Sequence, residues 1–274
     1  MEIRFIGLLL WIAAFAVHAM PAHSPVPGGI ARVRIDTGDS VSPLIPPTVR
    51  FQGRRVLVVR DEHGWLAVVG LSLDTKPGTV SLAIEAPAGA RSQSFEVMPK
   101  NYPVQRLTIP DKRKVDPSAD DMKRINREQE TLNRIRAHWE PINPVDLDPI
   151  LPAEAPLSSR FGLRRVFNGQ ARSPHNGLDL AVPRGTPIHA AAAGVVTHTE
   201  DLFFAGNTVF VDHGQGFITM YCHLDEITAG VGERVARGQR LGRSGMTGRV
   251  TGPHLHWSIY LNGSAVDPEL FLPR

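Results

Sequence analysis

The chain of 274 residues contains one cysteine, Cys222, so no disulfide can form within it. A lone cysteine reads here as a small buried residue rather than a redox centre. No lipobox cysteine follows the N-terminal apolar run, which argues against a lipoprotein. Beyond Val17 no stretch approaches ~18 consecutive apolar positions, so no later membrane span is expected. Lysine is absent from Arg160 to Arg274, which excludes a carrier module that needs a lysine at a hairpin tip. The net charge is only +3, and no block of lysine and arginine is dense enough to indicate nucleic acid.

Hydrophobic residues make up 42% of the chain, enough for one large or two ordinary domains. Arg4 precedes an apolar run from Phe5 to Val17, and Val17-His18-Ala19 fits a small-residue cleavage site. Residues 1–19 are therefore expected to be a signal peptide, and the mature protein to be exported without a membrane span.

From 25 to 110 the pattern is all-β. Val56–Val59 and Trp65–Val69 are short apolar runs, while Val80, Leu82 and Ile84 alternate with small or charged residues. Phe95 with Val97, and Leu107 with Ile109, continue the alternation. Turn formers such as Asp61-Glu62-His63-Gly64 and Lys76-Pro77-Gly78 separate these runs. The spacing predicts a β-sandwich. Residues 116–139 predict a helix, with Ser118 and Asp121 as a capping pair and Met122, Ile125, Leu132, Ile135 and Trp139 along one face. A proline-rich stretch at 140–156 reads as a semi-rigid linker.

The region from 157 to 274 is again β-rich, with strand-like runs at 187–196, 208–211, 217–221 and 256–261 and a tight β-turn-β stretch at 231–239. In its last strand His254, His256, Ser258 and Tyr260 share one parity; Leu255, Trp257, Ile259 and Leu261 share the other. Period two predicts a half-buried strand that aims two imidazoles from one face. Upstream, His175 and Asp179 lie four residues apart, and Tyr221-Cys222-His223-Leu224 supplies a further histidine. Four histidines and one carboxylate suit zinc, whose catalytic sites take three protein ligands plus water.

These motifs resemble those of the lysostaphin/LytM-type zinc endopeptidases, over a little over two fifths of the chain. His175 and Asp179 match the family's H-x-x-x-D motif, His254 and His256 its H-x-H motif, and His223 its Y-x-H-L histidine. Phe161-Gly162, Gly185-Thr186-Pro187 and Gly248–Pro253 agree as flanks. The resemblance implies one catalytic zinc held by His175, Asp179 and His256, with His223 and His254 as catalytic groups, and leaves open which is the general base. It implies a mainly β fold: an N-terminal β-sandwich, a connecting helix and a C-terminal antiparallel-sheet catalytic domain over a groove. Arg160 and Asn176 are candidates for substrate contact, and Tyr260 for orienting a ligand. His138, His189, His198 and His213 are expected to be structural.

The implied substrate is peptidoglycan, cleaved in the periplasm at D-alanyl–diaminopimelate cross-links. A small β-domain in front of the catalytic one matches Gram-negative forms better than glycyl-glycine specialists, which often carry a wall-binding domain after it. A regulatory partner protein is possible within this scheme but unidentified. The β-domain is expected to limit access to the groove, so that a chain beginning near Pro156 would be at least as active. Two other classes compete. A non-catalytic activator of a cell-wall amidase would be expected to lack metal ligands, and this sequence keeps all three. A cytoplasmic phosphotransferase module would not carry the export segment.

Overall fold

Among the described residues seven strands precede Met98, most of them where valine, leucine and isoleucine recur between turns. They are β1 (Ile30–Arg34), β2 (Thr48–Phe51), β3 (Arg54–Arg55), β4 (Leu57–Asp61), β5 (Gly64–Gly70), β6 (Gly78–Ala86) and β7 (Gly89–Val97). The computed structural model describes residues 20–36, 45–86, 89–142 and 144–273, so the expected signal peptide lies outside the described residues. Antiparallel sheets β1-β5-β4 and β3-β2-β6-β7 enclose one apolar cluster containing Val33, Val49, Trp65, Val69, Leu82 and Ile84. This is the sandwich that the alternation predicts, since each sheet buries one face against the other.

Downstream follow β8 (Val104–Leu107), α1 (Ala119–Ala137), β9 (Leu157–Ser159), β10 (Arg164–Phe167) and β11 (Gln170–Ala171). The strand expected at Leu107 and Ile109 does not join the sandwich. β8 runs parallel to β10, and Ile109 packs with Val115 and Phe167. The sandwich strands thus end at Val97.

Helix α1 begins as its sequence requires. Ser118 Oγ accepts from the Asp121 amide, and Asp121 accepts in return from the Ser118 amide. Its expected apolar stripe is only partly used. Leu132 and Ile135 pack on the C-terminal sheet, but Met122 is 41% exposed. Polar contacts seat the rest: the buried Glu128 carboxylate accepts from the Phe203 amide at 2.9 Å, and Arg124 donates to Asp201.

The C-terminal strands are β12 (Leu178–Leu180), β13 (Pro187–His189), β14 (Gly194–Leu202), β15 (Gly206–Asp212), β16 (Ile218–Ile227), β17 (Arg234–Val235), β18 (Arg240–Ser244), β19 (Leu255–Leu261) and β20 (Ser264–Val266). With β9 they form a ten-stranded sheet along the path β17-β14-β15-β16-β19-β12-β9. β18 pairs with β13 and β16, and β20 with β19. The stretch at 231–239 is therefore not a β-turn-β unit: β17 joins β14, and β18 leaves for other partners.

β19 is central rather than half-buried. Leu255, Trp257, Ile259 and Leu261 enter the largest core, and Tyr260 on the opposite face packs with Ile218, Met220 and Cys222 beneath α1. The helix covers what the period-two pattern leaves to solvent.

The proline-rich stretch is not a free linker. Val145, Leu147 and Ala153 are buried in the same core as β19, the Ile150 amide donates to Ala191, and the His189 amide donates to Pro152. The first sheet of the sandwich joins that core too, through Ile30, Leu57 and Val68. Side-chain bonds reinforce the contact. Asn262 exchanges two hydrogen bonds with Gly70, and Gln215 Oε1 accepts from the Val58 amide.

This reverses the expectation for a chain beginning near Pro156. Such a chain would lose six buried partners of its core, of which the five Val, Leu and Ile residues contribute about 1.5–3 kcal/mol each. That is comparable to the whole stability of an ordinary domain. Thermal denaturation should show no cooperative transition near that of the full chain; an unchanged Tm would refute the shared core.

Buried polarity predicts a pH response. His213 is enclosed, with Nδ1 donating to the Ala193 carbonyl at 2.8 Å and Nε2 2.8 Å from Thr219 Oγ1. Burial pushes its pKa down to about 4, against ~6.5 in an unfolded chain. The unfolded state then binds the extra proton between those values, so stability is complete above pH ~6.5 and falls towards pH ~4. The loss is roughly 3 kcal/mol from this group. Denaturation midpoints from pH 7 to 4 should drop less steeply in His213→Gln than in the parent.

Candidate metal centre

Three strands and the segment before β12 bring the sequence-selected side chains together. β12 lies antiparallel to β19 with Asp179 opposite His256. His175 reaches the same point from the turn before β12, held by bonds from its amide to the Leu163 carbonyl and from the Gly162 amide to its own carbonyl. Gly177 permits this approach. A Cβ there would stand 2.4 Å from the Trp257 carbonyl oxygen and 2.6 Å from Ser258 Oγ.

The convergence is tight. His175 Nε2 lies 2.9 Å from Asp179 Oδ1 and 3.0 Å from His256 Nδ1, and His256 Nδ1 lies 2.8 Å from Asp179 Oδ1. Each imidazole is oriented from behind. His175 Nδ1 donates to the Arg160 carbonyl at 2.7 Å, and His256 Nε2 lies 2.9 Å from Ser258 Oγ. Those bonds leave the Nε2 lone pair of His175 and the Nδ1 lone pair of His256 facing a carboxylate oxygen. Three buried lone-pair donors directed at one another repel unless a cation lies between them. The spacing approaches the ~3.3 Å between donors at ~2.0–2.1 Å around a tetrahedral zinc ion. The residues fit such an ion.

Arg165 on β10 donates from Nη2 to Asp179 Oδ2 at 3.0 Å, leaving Oδ1 for the cluster. Burial alone would raise the Asp179 carboxyl, but its neighbours His175 and His256 outweigh burial and hold it well below the usual range, so Asp179 enters the cluster as an anion. Burial, opposed by Asp179, takes the His256 imidazole down to about 4.

His223 joins the site by an irregularity. The β15–β16 register pairs Val209 with Tyr221 but Asn207 with Leu224, so β16 carries one extra residue. His223 takes it up with a φ of +63°, and its amide donates to the Ala205 carbonyl. Strict alternation would send His223 into the core beside Tyr221. The bulge leaves it on the face of Cys222, and Leu224 returns to the core. A histidine at positive φ is uncommon, and such conformations concentrate at functional sites.

His223 and His254 have matching environments. His223 Nδ1 donates to the Thr247 carbonyl and His254 Nδ1 to the Gly252 carbonyl, both at 2.9 Å. Each therefore keeps an Nε2 lone pair. The two rings are 4.8 Å apart, and His254 Nε2 lies 3.9 Å from Asp179 Oδ1. Burial, then the neighbouring His254 and His256, holds the His223 pKa well below its ordinary value.

Some expected roles move. Tyr260 does not orient a ligand: its hydroxyl contacts Met220 Sδ at 3.4 Å, and Ser258 takes that part. The Arg160 side chain pairs with Glu269, while its carbonyl serves His175. Cys222 is buried with its thiol pushed up to about 12 by burial, consistent with a packing residue. Arg165 and Ser258 had no distinguishing spacing; only the alternation of Ser258 with His256 hinted at the latter.

Comparison with known proteins shows what the chain resembles. The model for peptidase family M23 matches residues 173–268, and that for the M23 N-terminal domain matches residues 23–100. Peptidoglycan DD-endopeptidase ShyA of Vibrio cholerae is 46% identical over 112 residues, 40% of this chain and 26% of ShyA. The DD-carboxypeptidase/endopeptidase Mpg of Neisseria meningitidis is 40% identical over 112 residues, 41% of this chain and 26% of Mpg. The chain thus spans about a quarter of the length of these curated relatives. A crystal structure from Pseudomonas aeruginosa described as an M23 peptidase is 44% identical, covers 91% of this chain and 95% of its own, and superposes with a TM-score of 0.75.

Proposed function

The chain belongs to peptidase family M23, and from that membership we propose that it is a zinc-dependent endopeptidase acting on peptidoglycan. One zinc would be held by His175 Nε2, Asp179 Oδ1 and His256 Nδ1. The observation that carries this reading is the convergence of those three buried donors within 3.0 Å. Zinc so held supplies Lewis acidity for the scissile carbonyl and acidifies an attacking water. The chain's own residues do the rest. Of the Nε2 atoms of His223 and His254, one takes the proton from the attacking water and passes it to the leaving nitrogen, and the other, once protonated, donates to the developing oxyanion. Arg165 and Ser258 keep the ligand atoms aimed. In this reading residues 157–274 are the catalytic unit, and the sandwich, α1 and the stretch at 140–156 are its scaffold.

The proposed bond is the D-alanyl–diaminopimelate cross-link, and the proposed compartment the periplasm. The names of ShyA and Mpg support the bond, and the apolar N-terminal run supports export. No helix among the described residues is long and apolar enough to cross a membrane. A non-catalytic role as an amidase activator is disfavoured because all five site residues are present and converge.

Digestion of diaminopimelate-type sacculi tests the bond. Cross-linked muropeptide dimers should become monomers while glycan strands stay intact. Release of free stem peptides would mean amidase action instead. Unchanged dimers alongside cleavage of pentaglycine would overturn the bond assignment.

A further inference from the structure

A second cavity lies away from the metal centre, where the β2–β3 hairpin, the end of α1 and the β19–β20 turn meet. It encloses about 260 Å³ and is lined by Arg50, Arg54, Arg55, Arg136, Trp139 and Gly263, among others. Four guanidinium groups in one cleft repel; Arg50 donates to the Gly53 carbonyl and Arg55 to Thr48 Oγ1, but among the described residues little negative charge compensates them. Glu85 approaches only Arg50, at 4.0 Å. The nearby acids Glu140 and Asp212 face His138 at 3.4 and 3.3 Å. Among the described residues, Arg136 Nε and Trp139 Nε1 are buried donors without an acceptor. Groups of that kind are costly to desolvate and are normally satisfied.

The arginines are held in place. The Arg55 guanidinium stacks 4.1 Å from the centre of the Trp139 ring, and that of Arg136 lies 5.2 Å from the Tyr260 ring. Arg54 reaches the opposite turn because position 263 is glycine: a Cβ there would fall 1.9 Å from Arg54 Nη1. Such stacking orients the donor forks before any ligand arrives.

We propose that this cleft binds a phosphate group, which bridges the sandwich to the catalytic sheet. The wall offers surplus N–H donors and positive charge, which calls for a compact, acceptor-rich anion. Its volume suits a phosphate or the phosphate of a lipid headgroup rather than a peptide. The proposal does not depend on the peptidase reading, because the cleft shares no residue with the metal centre.

The test uses the full mature chain at constant ionic strength. Inorganic phosphate should raise Tm saturably, with chloride producing no such rise. Arg54→Gln and Arg136→Gln should each weaken binding by about 10–100-fold, the loss expected for a charge-assisted bond. Arg54 is exposed on a hairpin, so its variant should fold even if Arg136→Gln does not. Sedimentation with phosphatidylglycerol vesicles separates the sources. Binding that Arg54→Gln abolishes assigns a headgroup, and phosphate binding without vesicle binding assigns soluble phosphate. An equal Tm rise with chloride, an undiminished response in Arg54→Gln, or binding of neither probe overturns the site.

Discussion

His256→Ala should lose zinc and hydrolytic activity together. Its Nδ1 is one of three donors meeting within 3.0 Å, and the nearest further histidine, His254 just before β19, keeps its Nε2 3.9 Å from Asp179 Oδ1. Lewis-acid stabilisation of a transition state amounts to several kcal/mol, or at least ~10³-fold in rate. His175→Ala and Asp179→Ala should behave alike. The fold of His256→Ala should survive, because removing one of three mutually repelling donors relieves the metal-free cluster, whereas Asp179→Ala also leaves the Arg165 guanidinium without its carboxylate. A graded response is expected from Arg165→Gln, which frees Asp179 Oδ2 and should weaken metal affinity by ~10–100-fold without abolishing it. Metal content by mass spectrometry, with activity on sacculi, checks both. Full zinc and full turnover in His256→Ala would refute the ligand assignment.

The second large effect separates the catalytic pair from the ligands. His223→Ala and His254→Ala should each retain zinc and lose ~10²–10⁴ of the rate, the usual contribution of a general acid or base. Their Nδ1 atoms are committed to the Thr247 and Gly252 carbonyls, so only Nε2 is free to carry a proton. His223 sits at a φ of +63°, where alanine is strained and asparagine is better tolerated. His223→Asn should therefore match His223→Ala in activity while denaturing at a higher temperature. Loss of the metal in His254→Ala would exchange the roles of His254 and His256.

Both predictions begin with residues that were visible in the chain as motifs. Period two placed His254, just before β19, and His256, within it, on one face, and the Ser118–Asp121 pair marked the start of α1. Patterns of this sort are local: they depend on the pleat of one strand or the cap of one turn, and a sequence read alone carries them. The positions of β4 to β7 followed for the same reason, through short apolar or alternating runs between turn formers, whereas β1 to β3 carried no such mark.

Other features depended on the meeting of distant segments. Alternation along β16 would have buried His223; a bulge created by its register against β15 turned it to the metal face. Arg165 reaches Asp179 because β10 folds beside the site, and nothing in its neighbours marks it apart from Arg164. The stretch at 140–156 looked like a spacer because proline dominates its composition, yet Val145 and Leu147 bury themselves in the core that Ile30, Leu57 and Val68 share. Local propensity determined which segments became strands and which side chains could bind metal. Long-range register and burial decided where those side chains point and which segments are one body, because such contacts gain their free energy only from partners far away in the chain.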